Sequence, residues 1–109
     1  MYKLYLDDIR TPPDDSWVVA RSYNQAVKIF EDIGAPAEVS FDHDLGVIEG
    51  TVIPDKTGYD FAHFLVEKDL DTGCLPKNFK YSIHSANPIG RENIEKLFSS
   101  YFKFTERFS

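Results

Sequence analysis

The chain has 109 residues, a formal net charge of −6 and a single cysteine, Cys74. A chain of this length predicts one domain, residues 1–109. The charge excludes tracking along duplex DNA, which requires a basic stripe that displaces counterions from phosphates, and the lone cysteine excludes an internal disulfide. No apolar run reaches the roughly 18 residues of a membrane span, and Asp7 and Asp8 arrive before a signal peptide could form; we therefore expect a cytoplasmic protein outside the membrane.

Four short apolar segments predict β-strands, namely Tyr2–Leu6, Trp17–Ala20, Glu38–Phe41 and Lys80–Ile83. The link between the first two, Asp8–Ser16, is shorter than the dozen or so residues of a usual parallel crossover. No helix is therefore expected between those two strands.

Three amphipathic segments predict helices. The first follows Ser22 and Gln25, which have the pattern of a capping box, and ends at Gly34. The second runs over residues 58–70, and the third begins near Pro88 with apolar side chains at helical spacing.

The order of these elements predicts the fold class. Strands alternate with helices, and the strands are apolar throughout, which is typical of an α/β fold with a mostly parallel sheet. We expect about four strands and about three helices. Ligands of such sheets bind beyond the carboxyl ends of the strands, so the residues that follow each strand are the candidates for a site.

Carboxylates follow two of the predicted strands. Asp7 and Asp8 close the first strand, and Asp42 closes the third. At one edge of a sheet these three acids would form an oxygen-rich site suited to Mg²⁺ or Mn²⁺. The competing interpretation, which the sequence leaves open, is that they are solvated acids at strand ends.

A phosphate-binding segment is predicted where the fourth strand leads into the third helix. Backbone N–H groups near Pro88–Arg91 would point at an anion, and Gly90 would allow its close approach. Ser85 and Asn87 precede this turn, and Arg10, just past the first strand, would add a bidentate clamp.

The series of segments resembles the receiver domain of two-component response regulators. In that family an acidic pair closes the first strand, a phosphorylated aspartate closes the third, and Ser or Thr followed by Ala closes the fourth. The matching residues are Asp7, Asp8, Asp42, Ser85 and Ala86. The resemblance implies a small receiver-like, flavodoxin-like, three-layer sandwich. The chain departs from the family in lacking a fifth strand that ends in lysine.

Three motifs point to a more specific relationship. They are LYLDDIR at residues 4–10, SFDHDLG at residues 40–46 and IHSANPIG at residues 83–90. On these motifs the chain is identified as a member of the cyclic-phosphate-processing receiver-like family of bacteria and their phages. Membership implies action on cyclic phosphate ends of nucleotides or RNA through paired histidines.

The histidines of the second and third motifs, His43 and His84, are ones that ordinary receivers lack. Opening a cyclic phosphate requires a base for water and an acid for the leaving sugar oxygen, and imidazole suits both roles near neutral pH. Asp42 and Asp44 would orient His43 or raise its pKa. His63 is instead expected on solvated helix surface, because it lies on the polar face of the second helix.

The first-ranked function is therefore a phosphoesterase acting on a small phosphorylated nucleotide or an RNA end. The second is a receiver-like phosphoacceptor or signalling module that uses Asp42, against which the missing lysine argues. The third is a non-enzymatic protein that binds a nucleotide or blocks a partner. Base specificity, product regiochemistry and oligomeric state are left open by the sequence.

Overall fold

The computed structural model describes residues 2–46, 50–53 and 55–108, with side chains up to Thr105. Every predicted strand and helix is present. In chain order the elements are β1 Lys3–Leu6, β2 Trp17–Ala20, α1 Tyr23–Ile33, β3 Glu38–Phe41, α2 Gly58–Thr72, β4 Lys80–Ile83 and α3 Pro88–Phe108. As predicted, no helix lies between β1 and β2.

The four strands form one parallel sheet with the order β2-β1-β3-β4. Leu6 is in register with Ala20 on one side and with Phe41 on the other, and Phe41 is in register with Ile83. All four strands therefore end at the same level. The polar residues that follow them meet at one edge, and the predicted receiver-like α/β fold is confirmed.

All three helices pack on one face of the sheet. They share with it a continuous cluster of buried side chains formed by Leu4, Leu6, Ala20, Ala26, Val39, Phe41, Leu45, Phe61, Ala62, Leu65, Val66, Ile94, Phe98 and Tyr101. The connections from β2 to β3 and from β3 to β4 cross the sheet in the same direction. Because parallel crossovers are right-handed, α1 and α2 must lie on the same face.

The opposite face of the sheet carries no helix among the described residues. Of the three layers expected for the sandwich, these residues form two, the sheet and one layer of helices. The connection from β1 to β2 crosses the sheet in the reverse direction, and its handedness would place a helix on this face, but it contains none. Tyr5 is buried outside the main cluster and packs edge-on against Trp17, with 6.0 Å between ring centroids.

Capping side chains mark the N-termini of α1 and α2. Ser22 accepts a hydrogen bond from the N–H of Gln25, but the Gln25 side chain accepts from Arg21 rather than closing the expected capping box. Thr57 and Asp60 form a complete capping box at the start of α2. Among the described helices, none combines the length and the apolar character needed to cross a membrane.

Candidate active site

The candidate site lies along the edge where the parallel strands end. Backbone hydrogen bonds extend the sheet by one residue beyond the strands. Asp7 N–H donates to Ala20, Asp42 N–H to Leu6 and His84 N–H to Phe41, at donor–acceptor distances of 3.1, 2.9 and 2.9 Å. The sheet itself thus fixes the backbone of an acid, a second acid and a histidine at neighbouring positions.

The three acids predicted to bind metal are brought together. Asp7, Asp8 and Asp42 each offer a carboxylate oxygen, and these oxygens lie within 4.8 Å of one another. Asp7 is 0% and Asp42 9% exposed. Gly46, at φ +74°, brings the loop after β3 so close to Asp8 that a β-carbon there would lie 3.0 Å from its Oδ2. Two of the three acids are therefore buried, and the cluster is not a row of solvated acids.

Asp7 is the most heavily hydrogen-bonded acid of the cluster. Its Oδ1 accepts from the N–H groups of Ile9 and Arg10 at 2.9 and 2.8 Å, and its Oδ2 lies 2.9 Å from His84 Nε2. Burial raises the pKa of Asp7, but the hydrogen bonds outweigh burial, and the pKa lies below its ordinary value. Asp7 is therefore held as a carboxylate.

The pKa of Asp42 is shifted in the opposite direction from that of Asp7. Burial and then the charge of Asp7 raise the pKa of Asp42 above its ordinary value. Hydrogen bonds from the Asp44 N–H and the Ser85 side chain oppose that rise without cancelling it. A bound cation would relieve the repulsion between the two buried carboxylates.

His84 is held on both ring nitrogens. Nε2 bonds to Asp7, and Nδ1 lies 2.7 Å from Ser40 Oγ. The ring also stacks on Tyr5 at a centroid distance of 4.6 Å and an interplanar angle of 3°. Because a carboxylate can only accept, Nε2 must carry the proton, and in the neutral ring Nδ1 accepts from the Ser40 hydroxyl.

His43 is held on one ring nitrogen. Its Nδ1 lies 3.0 Å from Asp44 Oδ1, as expected for an acid that orients it. Asp44 is in turn contacted by Asn87 Nδ2, at 3.4 Å from its other oxygen. Within the part of the chain that the structure describes, His43 Nε2 has no hydrogen-bond partner. Since Nδ1–H donates to Asp44, the neutral ring presents a free lone pair at Nε2.

The predicted phosphate-binding turn is arranged differently from the expectation. Asn87 caps α3, because its Oδ1 accepts from the N–H groups of Ile89 and Gly90 at 3.1 and 3.0 Å, and its backbone oxygen accepts from Arg91. These N–H groups are thus satisfied within the chain. Gly90 is buried beside the His43 ring, and Arg91 is exposed. The sequence contains the signal for this cap, since an asparagine directly before a proline is typical of the start of a helix.

Two arginines lie next to Asp7 in the acid cluster. Arg10, half-exposed, lies with Nη1 3.9 Å from Asp7 Oδ2 and donates to the His84 carbonyl at 2.8 Å. Arg21, which the sequence interpretation missed, donates to the backbone oxygens of Asp7 and Arg10. It directly follows β2, so its position at a strand end was the signal that could have found it. His63, by contrast, is exposed and pairs with Glu67, as expected for helix surface.

A family model described as the cyclic-phosphate processing receiver domain matches residues 2–100. The chain belongs to this family. The match spans all four strands, the acid cluster and both histidines of the cyclic-phosphate processing receiver domain, and extends into α3. No curated protein and no solved structure matches the chain.

Proposed function

We propose that this cyclic-phosphate processing receiver domain is a phosphoesterase that hydrolyses a cyclic phosphate on a nucleotide or an RNA end. The observation that carries the proposal is the geometry of the edge. Two histidines and three carboxylates follow β1, β3 and β4 at the same level, next to two arginines. This set combines groups for proton transfer with groups for binding a phosphate.

The free nitrogen of His43 supports its role as the base. In hydrolysis a water oxygen forms a bond to phosphorus, one P–O bond to the sugar breaks, and a proton passes from the water to a base. His43 Nε2 has the free lone pair that this step requires. Asp44 keeps that lone pair at Nε2, because it holds the other ring proton at Nδ1.

We assign to His84 the proton that the leaving sugar oxygen takes up. Because Asp7 holds Nε2–H, His84 would act as the acid in its doubly protonated form, giving the proton on Nδ1, at the side of the ring that contacts Ser40, and becoming neutral. The leaving oxygen would take the place of the Ser40 hydroxyl at this nitrogen. Arg10, which donates to the His84 carbonyl, would hold a phosphoryl oxygen, and Ser85, next to Asp42, would be a further donor.

The carboxylates fit a divalent cation, Mg²⁺ or Mn²⁺, which would supply charge neutralisation at a phosphoryl oxygen. Asp8 and Asp42 would be the main ligands, because Asp7 accepts three hydrogen bonds against the two that Asp42 accepts. The raised pKa of Asp42 fits the same interpretation, since burial and the charge of Asp7 disfavour its carboxylate form, which a bound cation would stabilise. Asp7 would contribute its Oδ2 only.

The proposal is tested with 2′,3′-cyclic mononucleotides and with RNA that ends in a cyclic phosphate, with and without Mg²⁺. We expect conversion to a phosphomonoester. His43→Ala and His84→Ala should each lower the rate by about 10²- to 10⁴-fold, the usual contribution of general acid–base catalysis. His63→Ala is the matched control and should leave the rate unchanged, because His63 lies on exposed helix surface.

Two results would contradict the proposal. One is that wild-type protein leaves every cyclic phosphate intact. The other is that Mg²⁺ and acetyl phosphate label the protein and that Asp42→Asn removes the label while both histidine variants keep it. The second result would identify the domain as a phosphoacceptor instead.

A further inference from the structure

Gly90 and His43 lie in unusually close contact. A β-carbon placed on Gly90 would lie 2.5 Å from His43 Cδ2, 2.7 Å from His43 Cβ, and closer still to Cγ. Real β-carbons essentially never approach other heavy atoms to less than 3.0 Å. The edge of the imidazole ring therefore rests on the bare α-carbon of the first turn of α3, where a side chain of any other residue would stand.

The need for glycine at this position does not come from the backbone. Gly90 is in the first turn of α3, and it is not among the glycines with positive φ. At such a position alanine favours the helix over glycine. A residue that lowers helix propensity without a conformational reason must be explained by its contacts, and the contact here is the ring of His43.

The contact with Gly90 is one of several that hold the ring and the backbone of His43. Nδ1 is bonded to Asp44, and the Cγ–Cδ2 edge is against Gly90. Asn87 contacts both of these neighbours of the ring. Its Nδ2 contacts Asp44, and its Oδ1 accepts from the Gly90 N–H. On the other side of the loop, Gly58 N–H donates to the His43 carbonyl at 2.8 Å. Contacts thus hold the ring at Nδ1 and along Cγ–Cδ2, and within the described part of the chain Nε2 has no hydrogen-bond partner.

We propose that Gly90 is a positioning residue for His43, and that the absence of a side chain at residue 90 sets the direction of His43 Nε2. This role deepens the proposed function, on which its kinetic consequence rests. It also differs from the sequence-based expectation, in which Gly90 made room for a phosphate, because the space above its α-carbon is filled by the imidazole ring.

The first test is a thermal double-mutant cycle that does not depend on activity. Gly90→Ala should lower Tm by about 4 to 15 °C in the wild-type background, because overpacking a filled site is destabilising. In a His43→Gly background the same change should leave Tm unchanged or raise it by about 2 to 8 °C, as the gain in helix propensity becomes visible. Glycine is used because a methyl at residue 90 would still meet a β-carbon at residue 43.

Ser100→Ala provides the matched control in the same helix. It lies on an exposed part of α3 far along the chain from Gly90, so its small effect on Tm should be equal in both backgrounds. An equal loss of Tm from Gly90→Ala in both backgrounds would overturn the proposal, as would failure of the double variant to fold, because the cost of the methyl would then have a cause other than His43.

The second test measures the consequence for the ring. In Gly90→Ala the nuclear magnetic resonance signals of the His43 ring should shift while those of His63 stay in place. With a cyclic mononucleotide as substrate, kcat should fall by about 10- to 100-fold and KM should change little, since a small displacement of a reacting group has an effect of this size. Ser100→Ala should alter neither.

The two proposals fail in different ways. If wild-type protein has no turnover, the proposed function fails, while the Tm cycle and the ring signals still decide whether Gly90 seats His43. If wild-type protein turns over and Gly90→Ala retains full kcat with unshifted His43 signals, Gly90 has no positioning role.

Discussion

The two histidines of the site stand in different surroundings. His84 bonds through both ring nitrogens, to Asp7 and Ser40, and stacks on Tyr5. His43 bonds through one nitrogen, to an acid whose side chain is 65% exposed, and leaves the other nitrogen open. Residue type alone would assign the pair equivalent roles. Their contacts instead make His84 a ring bonded at both nitrogens and His43 a ring with one nitrogen that has no hydrogen-bond partner among the described residues.

The largest expected effect concerns the acids that hold the two rings. Asp7→Ala should lower the free energy of unfolding by about 3 to 5 kcal/mol at pH 7, because it removes a fully buried carboxylate and leaves His84 and two backbone N–H groups without their acceptor. Asp44→Ala should lower it by less than about 1 kcal/mol, since that pair is at the surface. Urea unfolding of the two variants measures both. Equal losses would show that the two rings are held alike.

The Asp7 network also predicts a dependence on pH. The folded-state pKa of Asp7 lies below its ordinary value, so its contribution is present above the unfolded-state pKa, near 3.9, and is lost as pH falls through the folded-state pKa. The difference in unfolding free energy between wild type and Asp7→Ala should therefore narrow in acid. A difference that stays constant between pH 7 and pH 2.5 would contradict the assigned direction.

A smaller effect is expected from the second partner of His84. Ser40→Ala removes the buried hydroxyl at His84 Nδ1 and should lower the free energy of unfolding by about 1 to 2 kcal/mol. Ser82, its register partner on β4, is exposed on the same face of the sheet. Ser82→Ala should change stability by less than about 0.5 kcal/mol. Indistinguishable urea midpoints for the two serine variants would remove Ser40 from the His84 network.

An effect of similar size tests whether the unlike histidines share one site. If the acid cluster binds a divalent cation, Mg²⁺ at ten times its dissociation constant should stabilise the protein by about 1.4 kcal/mol. The double variant Asp8→Asn with Asp42→Asn should abolish this stabilisation. Mn²⁺, which is paramagnetic, should broaden the ring signals of His43 and His84 before those of His63. Broadening of all three together would place the ion elsewhere.

The fold and the position of the site follow from local signals in the sequence. Parallel strands that end at one level bring Asp7, Asp42 and His84 to one edge, and apolar strands between amphipathic helices are sufficient to predict this. The partners of His84 depend on register, because Tyr5 and Ser40 become neighbours only when β1 and β3 are aligned. The motif pattern carries no register information, so these contacts could not be predicted.

The contact between Gly90 and His43 depends on a still longer-range quantity, the angle at which α3 leaves the sheet edge. The sequence predicted that Gly90 allows the close approach of a phosphate, but a glycine allows the close approach of a side chain equally well. Chain order does not distinguish them. The Asn87 cap was the part of this region within reach of prediction, because it depends only on neighbouring residues.

The difference between the two histidines is tested most directly by the protonation of their rings at a pH where both are neutral. Nitrogen-15 long-range correlation spectra of the wild-type protein report which ring nitrogen carries the proton. Because each ring donates to a carboxylate through a different nitrogen, His84 should be protonated at Nε2 and His43 at Nδ1. Opposite tautomers, with Nε2 of His43 free, are the predicted result. A His43 ring protonated at Nε2 would contradict its assignment as the base, and a His84 ring protonated at Nδ1 would contradict its bond to Asp7.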